Sequence, residues 1–246
     1  MENKSEYLFG IHPVTEALEA GKKIERVMFR QGLEGPQFHK LLKQLQEAGV
    51  GVQFVPEERL NRVAKGRHQG VVALISQVDY VTIEKLIEDA LSTDKSPMVI
   101  LLDGVSDVRN FGATARSAEC AGAKGIILPA KGGAAVNAEA IKASAGALLR
   151  ISTSKVPNLR TAVYLLAENG FQIVAATERG DSSIYEIDFN KPTAVIMGSE
   201  DRGVSDALLG IADIKARIPQ AGKIGSLNVS VAASVIMFEA MRQKGV

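Results

Sequence analysis

The chain reads as an α/β protein in two parts, a small N-terminal α/β unit followed by a larger domain built on a parallel sheet. Three observations predict this. From Met98 onward, near-continuous apolar runs such as Met98-Val99-Ile100-Leu101-Leu102 alternate with helical stretches, as expected of strands covered on both faces and joined by helices. Residues 1–76 alternate on a smaller scale, with enough apolar positions for a core of their own. Between the two, residues 77–97 change character: Asp79, Glu84, Glu88, Asp89 and Asp94 outweigh Lys85 and Lys95, and Ser92-Thr93-Asp94-Lys95-Ser96-Pro97 is loop-like. That segment is expected to be the linker, or the entry to the second domain.

In the first part, Tyr7-Leu8-Phe9-Gly10 is short and extended. Residues 12–20 are helical, with Pro13 early, where no N–H is needed, and Gly21 as the stop. Ile24 to Phe29 is strand-like. Phe38, Leu41, Leu42 and Leu45 form an i, i+3, i+4, i+7 helix stripe. Val50 to Val55 reads as a strand, residues 57–64 as a short helix and residues 71–75 as a buried strand. Residues 82–91 form a short amphipathic helix. In the second part, strands are expected at 98–102, 125–128, 171–175, 193–197 and 214–218. Helices are expected at 111–122, 137–148, 158–168, 205–211 and 228–242. The last of these is small or apolar on nearly every side, which predicts burial all round.

Composition narrows the function. The chain has 246 residues, 46% hydrophobic and 23% charged, within the range of globular proteins. One cysteine excludes a disulfide framework and a Cys-rich zinc site; Cys120, in a helical context, is expected to be a small buried hydrophobe. His12, His39 and His68 have no metal-ligand spacing, so no metal is expected. The polar start Met1-Glu2-Asn3-Lys4-Ser5-Glu6 lacks the apolar segment of a signal peptide. No apolar run reaches the ~20 residues of a membrane span. A cytoplasmic, membrane-free protein is the expectation. Net charge is only +1, so nucleic-acid binding must use local patches. Two basic groups qualify: Lys22, Lys23, Arg26 and Arg30, then Arg59, Arg62, Lys65 and Arg67, the latter running into the tight polar loop 66–70. They suit phosphate contact with a nucleic acid and, taken alone, suit a solvated face better.

Three strand-end loops carry the chemistry, the place where ligands sit in open α/β sheets. The first, Asp103 to Ser117, includes Asn110 as a candidate helix cap and a slim, Ala-rich helix. Arg116 projects from that helix, its fork suited to a phosphate or carboxylate, or to a surface ion pair. The second, Val195-Ile196-Met197-Gly198-Ser199-Glu200-Asp201-Arg202-Gly203, runs from a buried strand into a polar turn. There Gly198 permits close approach of a ligand and Glu200 and Asp201 stand at the mouth. The third, Ile218-Pro219-Gln220-Ala221-Gly222-Lys223-Ile224-Gly225-Ser226-Leu227-Asn228, feeds the last helix. Ser226 or Asn228 can cap that helix, and its N-terminal N–H groups border a sheltered pocket. There is no G-x-G-x-x-G, no phosphate-binding P-loop and no G-x-S-x-G elbow.

Taken together, the three stretches 110–117, 196–203 and 218–232 resemble the motifs of the SpoU/TrmH (SPOUT) family of RNA ribose 2′-O-methyltransferases. The likeness covers about Met98 to Gln243. Residues 10–18 and 68–73 are similar to that family's ribosomal-protein-L30e-like substrate-binding domain. The two-part arrangement looks most like bacterial 23S rRNA guanosine 2′-O-methyltransferases, with tRNA-modifying relatives sharing the motifs.

The resemblance implies domains at 1–76 and 98–246 and a deep trefoil knot made by the C-terminal segment. It also implies a homodimer whose sites are completed by the partner subunit, and S-adenosylmethionine as methyl donor to RNA. By carry-over, Asn110, Arg116, Glu200, Ser226 and Asn228 line the catalytic centre. Met197, Gly198, Ile218, Leu227 and Thr177 border the cofactor.

In that chemistry a ribose 2′-oxygen attacks a sulfonium methyl in line, which needs alignment and removal of one proton. Arg116 is the base by the family's logic. A guanidinium ordinarily titrates at about 12 or above, so the other reading keeps it charged, gripping a phosphate and stabilising the developing alkoxide. Glu200 is then a proton acceptor or an orienting group. A binding-only ribosome-assembly factor is the competing class, and it has no need of all five polar residues.

Overall fold

The computed structural model describes residues 7–64, 68–76 and 78–245. It divides into two compact units, one of residues up to Asp79 with Ala135–Ala138, the other of Tyr80–Ala134 and the chain from Glu139 onward.

The first unit runs β1 (Tyr7–Phe9), α1 (Ile11–Glu19), β2 (Ile24–Arg30), α2 (Pro36–Glu47), β3 (Gly51–Val55), α3 (Glu57–Val63) and β4 (Val71–Ile75). Its sheet has the order β1-β4-β2-β3, with β4 antiparallel to both neighbours and β3 parallel to β2. Alternation divides β2 between two cores. Val27 and Phe29 pack with Val14 and Ala17 of α1 and Phe38, Leu41 and Leu45 of α2; Met28 packs with Leu60 of α3 and with Val55 and Val72. Of the two basic groups, Arg59 and Arg62 are exposed on α3, Lys23 pairs with Asp79 (2.9 Å) and Arg30 with Glu57 (3.6 Å). Lys65, Gly66 and Arg67 lie outside the described residues, as does the start 1–6. In the same loop His68 is buried: Nδ1 accepts from Gly70 N–H (3.0 Å), so Nε2 carries the proton and donates to Asn61 Oδ1 (2.9 Å).

The second unit runs β5 (Tyr80–Val81), α4 (Ile83–Thr93), β6 (Met98–Asp103), α5 (Val108–Cys120), β7 (Gly125–Pro129), α6 (Ala138–Ala143), β8 (Thr153–Val156) and α7 (Leu159–Glu168). It continues with β9 (Gln172–Ala176), β10 (Ser182–Ser183), β11 (Thr193–Gly198), α8 (Asp206–Leu209), β12 (Ile214–Arg217) and α9 (Val229–Gln243). Its eight strands form one sheet, β10-β12-β9-β11-β6-β7-β8-β5, in which every neighbouring pair is parallel. Leu86, Ile87, Leu159, Val163, Leu166 and Leu208 of α4, α7 and α8 pack with Val99, Leu101, Ile127, Ile173 and Ile196. These are alternate strand residues, hence one sheet face. Helices α5 and α9 pack on each other, and α9 packs on β11.

Several sequence expectations are corrected. Of the two readings of residues 77–97, linker or entry to the second domain, residues 80–97 follow the second: β5 adds an edge strand beside β8, and α4 buries Leu86, Ile87 and Ala90 while its acidic residues lie on the outer side. The helix expected over 137–148 ends at Ala143, because Ala145 (φ 50°) and Gly146 (φ 86°) turn left-handed ahead of a 3₁₀ turn at Ala147–Leu149. Strand β8 went unrecognised, since Thr153-Ser154-Lys155-Val156 carries one large aliphatic residue. Cys120 is exposed, not buried. Helix α9 buries Val229, Ala233, Ile236, Met237 and Ala240 but leaves Val231 and Phe238 48% and 46% exposed, so it is not covered all round. Among the described residues no helix is long and apolar enough to cross a membrane.

Candidate active site

Strand order reverses between β6 and β11. The chain runs outward from β6 through β7 and β8, then places β11 on the other side of β6. Carboxyl ends of parallel strands open a crevice at such a point, and here Gly198 lies in register with Asp103. All three motif loops meet at this crevice.

From β6, Asp107 caps α5, its carboxylate accepting from Arg109 N–H (2.7 Å) and Asn110 N–H (3.1 Å). Those bonds, Asn110 first, hold the Asp107 carboxyl below its usual range. Asn110, expected as the cap, therefore sits inside the first turn with its side chain free for other work. From β11, residues 199–203 fold into a tight turn, with Ser199 and Gly203 exchanging both backbone hydrogen bonds (2.8 and 3.2 Å). A Cβ on Gly198 would lie 1.9 Å from the Gly203 carbonyl carbon and 2.0 Å from Val204 N. The glycine is thus demanded by the chain's own crossing, where the sequence reading invoked a ligand. Gly112 is demanded likewise: a Cβ there would fall 2.5 Å from Ala143 Cβ and 2.8 Å from Ala140 O, so α5 and α6 meet through it.

The third loop ends at Asn228, the cap of α9. Its Oδ1 accepts from Ser230 N–H (2.9 Å), Val231 N–H (3.4 Å) and Ser230 Oγ (2.6 Å). With the oxygen so committed, Nδ2 donates to Asn110 Oδ1 (3.0 Å). That in turn commits Nδ2 of Asn110, which donates to Glu200 Oε1. Backbone N–H groups of α9 therefore set the orientation of two amides in series and deliver a donor to a carboxylate 28 residues away in the chain from Asn228.

A cavity of about 530 Å³ opens beside this chain, within the size range of small-molecule sites. Thr177, Met197, Gly198, Glu200, Ile218, Ser226, Leu227 and Asn228 line it. Asn110 joins through its two hydrogen bonds. Ser226 lines the wall and caps nothing. Arg116 is not brought in: it is exposed on α5 and, among the described residues, has no hydrogen bond or ion pair.

Sequence reasoning missed several supports. Asp103 Oδ2 accepts from Ser205 N–H (2.7 Å), tying the end of β6 to the start of α8. Arg217 Nη1 donates to Gly180 O (2.6 Å) and Asp181 O (3.2 Å), fixing the loop that carries Thr177. Arg179, Arg202 and Gln220 also line the cavity. The available signal was position alone, each standing at or just past a strand end. Among the described residues no group of three or more His, Cys, Asp or Glu side chains is placed to hold a metal ion.

Known proteins match this arrangement. Residues 97–238 fit the model of the SpoU rRNA methylase family, and residues 7–81 fit that of the RNA 2′-O ribose methyltransferase substrate-binding domain. The chain belongs to the SpoU/TrmH methylase family. It is 31% identical over 237 residues to a TrmH family tRNA/rRNA methyltransferase of Staphylococcus saprophyticus, covering 96% of this chain and 95% of that one. Among solved structures, an AdoMet-bound rRNA methyltransferase from Sinorhizobium meliloti matches with a TM-score of 0.60 at 28% identity, over 96% of this chain and 86% of that one. A TrmH/SpoU tRNA-modifying enzyme from A. aeolicus matches with a TM-score of 0.57 at 32% identity, over 66% of this chain and 82% of that one. As a SpoU/TrmH enzyme, the protein is an S-adenosylmethionine-dependent RNA ribose 2′-O-methyltransferase.

Proposed function

We propose that this enzyme methylates the 2′-oxygen of a guanosine ribose in 23S rRNA, and that Asn110, Arg116, Glu200, Ser226 and Asn228 form its catalytic centre. The observation that carries the site assignment is the amide chain Asn228–Asn110–Glu200 at the rim of the cavity. Support for rRNA over tRNA comes from coverage. The Sinorhizobium meliloti rRNA enzyme matches nearly the whole chain, and the A. aeolicus tRNA enzyme two thirds of it.

The cavity suits the cofactor. Met197, Ile218, Leu227, Val229 and Ala232 give it an apolar lining for an adenosine, and Thr177 and Glu178 give polar groups at its edge. When bound, S-adenosylmethionine supplies an electrophilic methyl on a sulfonium. The chain's own residues then have two tasks. Glu200 has one oxygen engaged by Asn110, leaving the other to accept from or orient the ribose 2′-hydroxyl. Arg116 stays charged, grips an RNA phosphate and stabilises the developing alkoxide. Because Arg116 is exposed and is not among the residues lining its own chain's cavity, it serves the site of a second copy. The half-exposed apolar stripe of Val231 and Phe238 on α9 is the surface for that copy. The C-terminal segment threads through a loop as a trefoil knot, and the first domain is L30e-like. The return of α9 from the β12 side to pack against α5 and β11 supports the threading.

Mapping of 2′-O-methyl sites in rRNA and tRNA from cells with and without the gene tests the reading. A guanosine in 23S rRNA should lose its mark. Loss confined to tRNA would replace the substrate, and no loss in any RNA would leave the assembly-factor reading. Sedimentation of the parent and of Phe238→Asp checks the homodimer. Single-molecule pulling checks the knot, since a knotted chain stops short of its full contour length.

A further inference from the structure

The first unit carries an aromatic ring that its own fold leaves uncovered. Strand β3 is an edge of the sheet, and Phe54 on it lies in register with Phe29 of β2. Phe29 is fully buried, whereas Phe54 is 50% exposed and is the one exposed large hydrophobic side chain among the described residues of this unit. The Phe54 ring is nevertheless held in place. Phe29, on the neighbouring strand, stacks on it with ring centroids 6.0 Å apart at an interplanar angle of 30°, and Phe38 stands edge-on at 6.3 Å. Phe38 also meets Phe29 edge-on at 5.1 Å.

The aromatic row continues through Phe38 to His39, with ring centroids 5.0 Å apart. His39 Nδ1 contacts Gly35 O at 2.8 Å. A carbonyl only accepts, so Nδ1 carries the proton and Nε2 of the neutral ring is left as an acceptor. Charge completes the surface. Helix α2 has no acidic residue in its first turn, Lys40 follows His39 and is exposed, and the helix's one acid, Glu47, pairs with Lys43 (3.8 Å).

A lone exposed Phe is ordinary. A ring backed by two others at an open sheet edge is the arrangement on which unpaired bases stack. We propose that Phe54 is a stacking platform for an unpaired base of the RNA substrate, with Lys40 and His39 available to its phosphate and base edge. This rests on the reading of residues 7–81 as the substrate-binding unit.

The chain contains no tryptophan, so Phe54→Trp introduces a single indole reporter at the site. The full-length protein is titrated with transcribed 23S rRNA fragments and with a perfectly paired RNA duplex of equal length. Phe54→Trp should bind the preferred fragment like the parent, with its indole emission quenched. Phe54→Leu, which keeps the apolar contact and removes the π-face, should bind that fragment roughly 5- to 150-fold more weakly, the range one stacked base supplies. Its S-adenosylmethionine affinity, melting temperature and duplex affinity should be unchanged. Parent-like fragment binding by Phe54→Leu, or unquenched indole emission, overturns the platform alone. Equal weakening on fragment and duplex makes the ring a structural prop and also overturns it. A changed association state of Phe54→Leu without RNA would assign the ring to a protein contact. If the parent binds no RNA at all, the substrate reading and the platform fall together.

Discussion

The two walls of the cavity are built on opposite principles. The wall that follows β11 is closed on itself: Ser199 and Gly203 exchange backbone bonds, Ser199 Oγ accepts from Arg202 N–H (3.3 Å), and Asp103 holds Ser205. The facing wall, residues 218–227, has no backbone–backbone hydrogen bond among the described residues and is almost wholly exposed. It is slung between β12 and Asn228. The difference teaches how such a site divides its labour. A rigid wall fixes Glu200 relative to the sheet, and a loose wall leaves the cofactor room to enter. The amide chain from Asn228 through Asn110 to Glu200 is the clasp between them.

The largest effect should come from breaking the rigid wall. Gly198→Ala places a methyl group inside the Gly203–Val204 peptide, where no side chain can yield. We expect a loss of more than about 4 kcal/mol of stability, seen as insoluble protein or a collapsed thermal transition. Breaking the clasp should separate chemistry from folding. Asn228→Asp keeps the oxygen that caps α9 but sets a carboxylate against Asn110 Oδ1, so stability should hold while kcat falls about 100-fold or more. Asn228→Ala should lose the same activity and, in addition, about 1 kcal/mol of cap energy. Equal melting temperatures for the two variants would refute the cap's share.

Where the sequence was legible, the reason is a short-range rule. The apolar run at 98–102 reads as a covered strand because it is one, and the order of strand-end loops locates the crevice. Loop positions were legible for the same reason, and so was Asn228 as a cap. What stayed hidden depends on contacts distant in sequence. Asp107 displaces Asn110 from the cap, and only the fold shows that this frees Asn110 for Glu200, 90 residues on. Gly198 does line the cavity, but the crossing of residues 203–204 that forbids a side chain there is seen only in the fold. Strand β8 draws its pairing from β7 and β5 and little from its own residues. The exposure of Arg116 was legible, as a polar residue on a helix that buries Phe111, Ala115 and Ala118; its separation from the cavity-lining residues was not.

The loose wall also depends on how α9 is anchored at its far end. There Glu239 is buried, accepting from Arg242 Nε and Nη2 (both 2.8 Å) and Gln243 Nε2 (2.8 Å), while Gln243 also donates to Ile187 O (2.9 Å) and accepts from Phe189 N–H (3.0 Å). The hydrogen bonds from Arg242, against the cost of burial, draw the Glu239 carboxyl from 4.5 down to about 2. A carboxyl lowered on folding stabilises fully above its unfolded value, and that contribution fades as pH falls towards the folded one. Glu239→Gln should therefore cost about 1–3 kcal/mol at neutral pH. The gap to the parent should narrow from about pH 4.5 downward and nearly close by pH 2, as followed by denaturant titration. A gap independent of pH would mean that packing, and not charge, holds this end.

The smallest effect tests the comparison itself. If the wall at 218–227 is loose in the free protein and ordered by ligand, its amides should exchange quickly without S-adenosylmethionine. They should slow about tenfold at ten times the dissociation constant, because exchange then requires the ligand to leave. Amides of Ser199 and Gly203 should be slow in both states, since their hydrogen bonds exist before any ligand arrives. Hydrogen-exchange mass spectrometry resolves the two peptides. Protection of both walls to the same degree would show that the β11 turn is also assembled on binding. The division of labour would then lie elsewhere, in the clasp through Asn110.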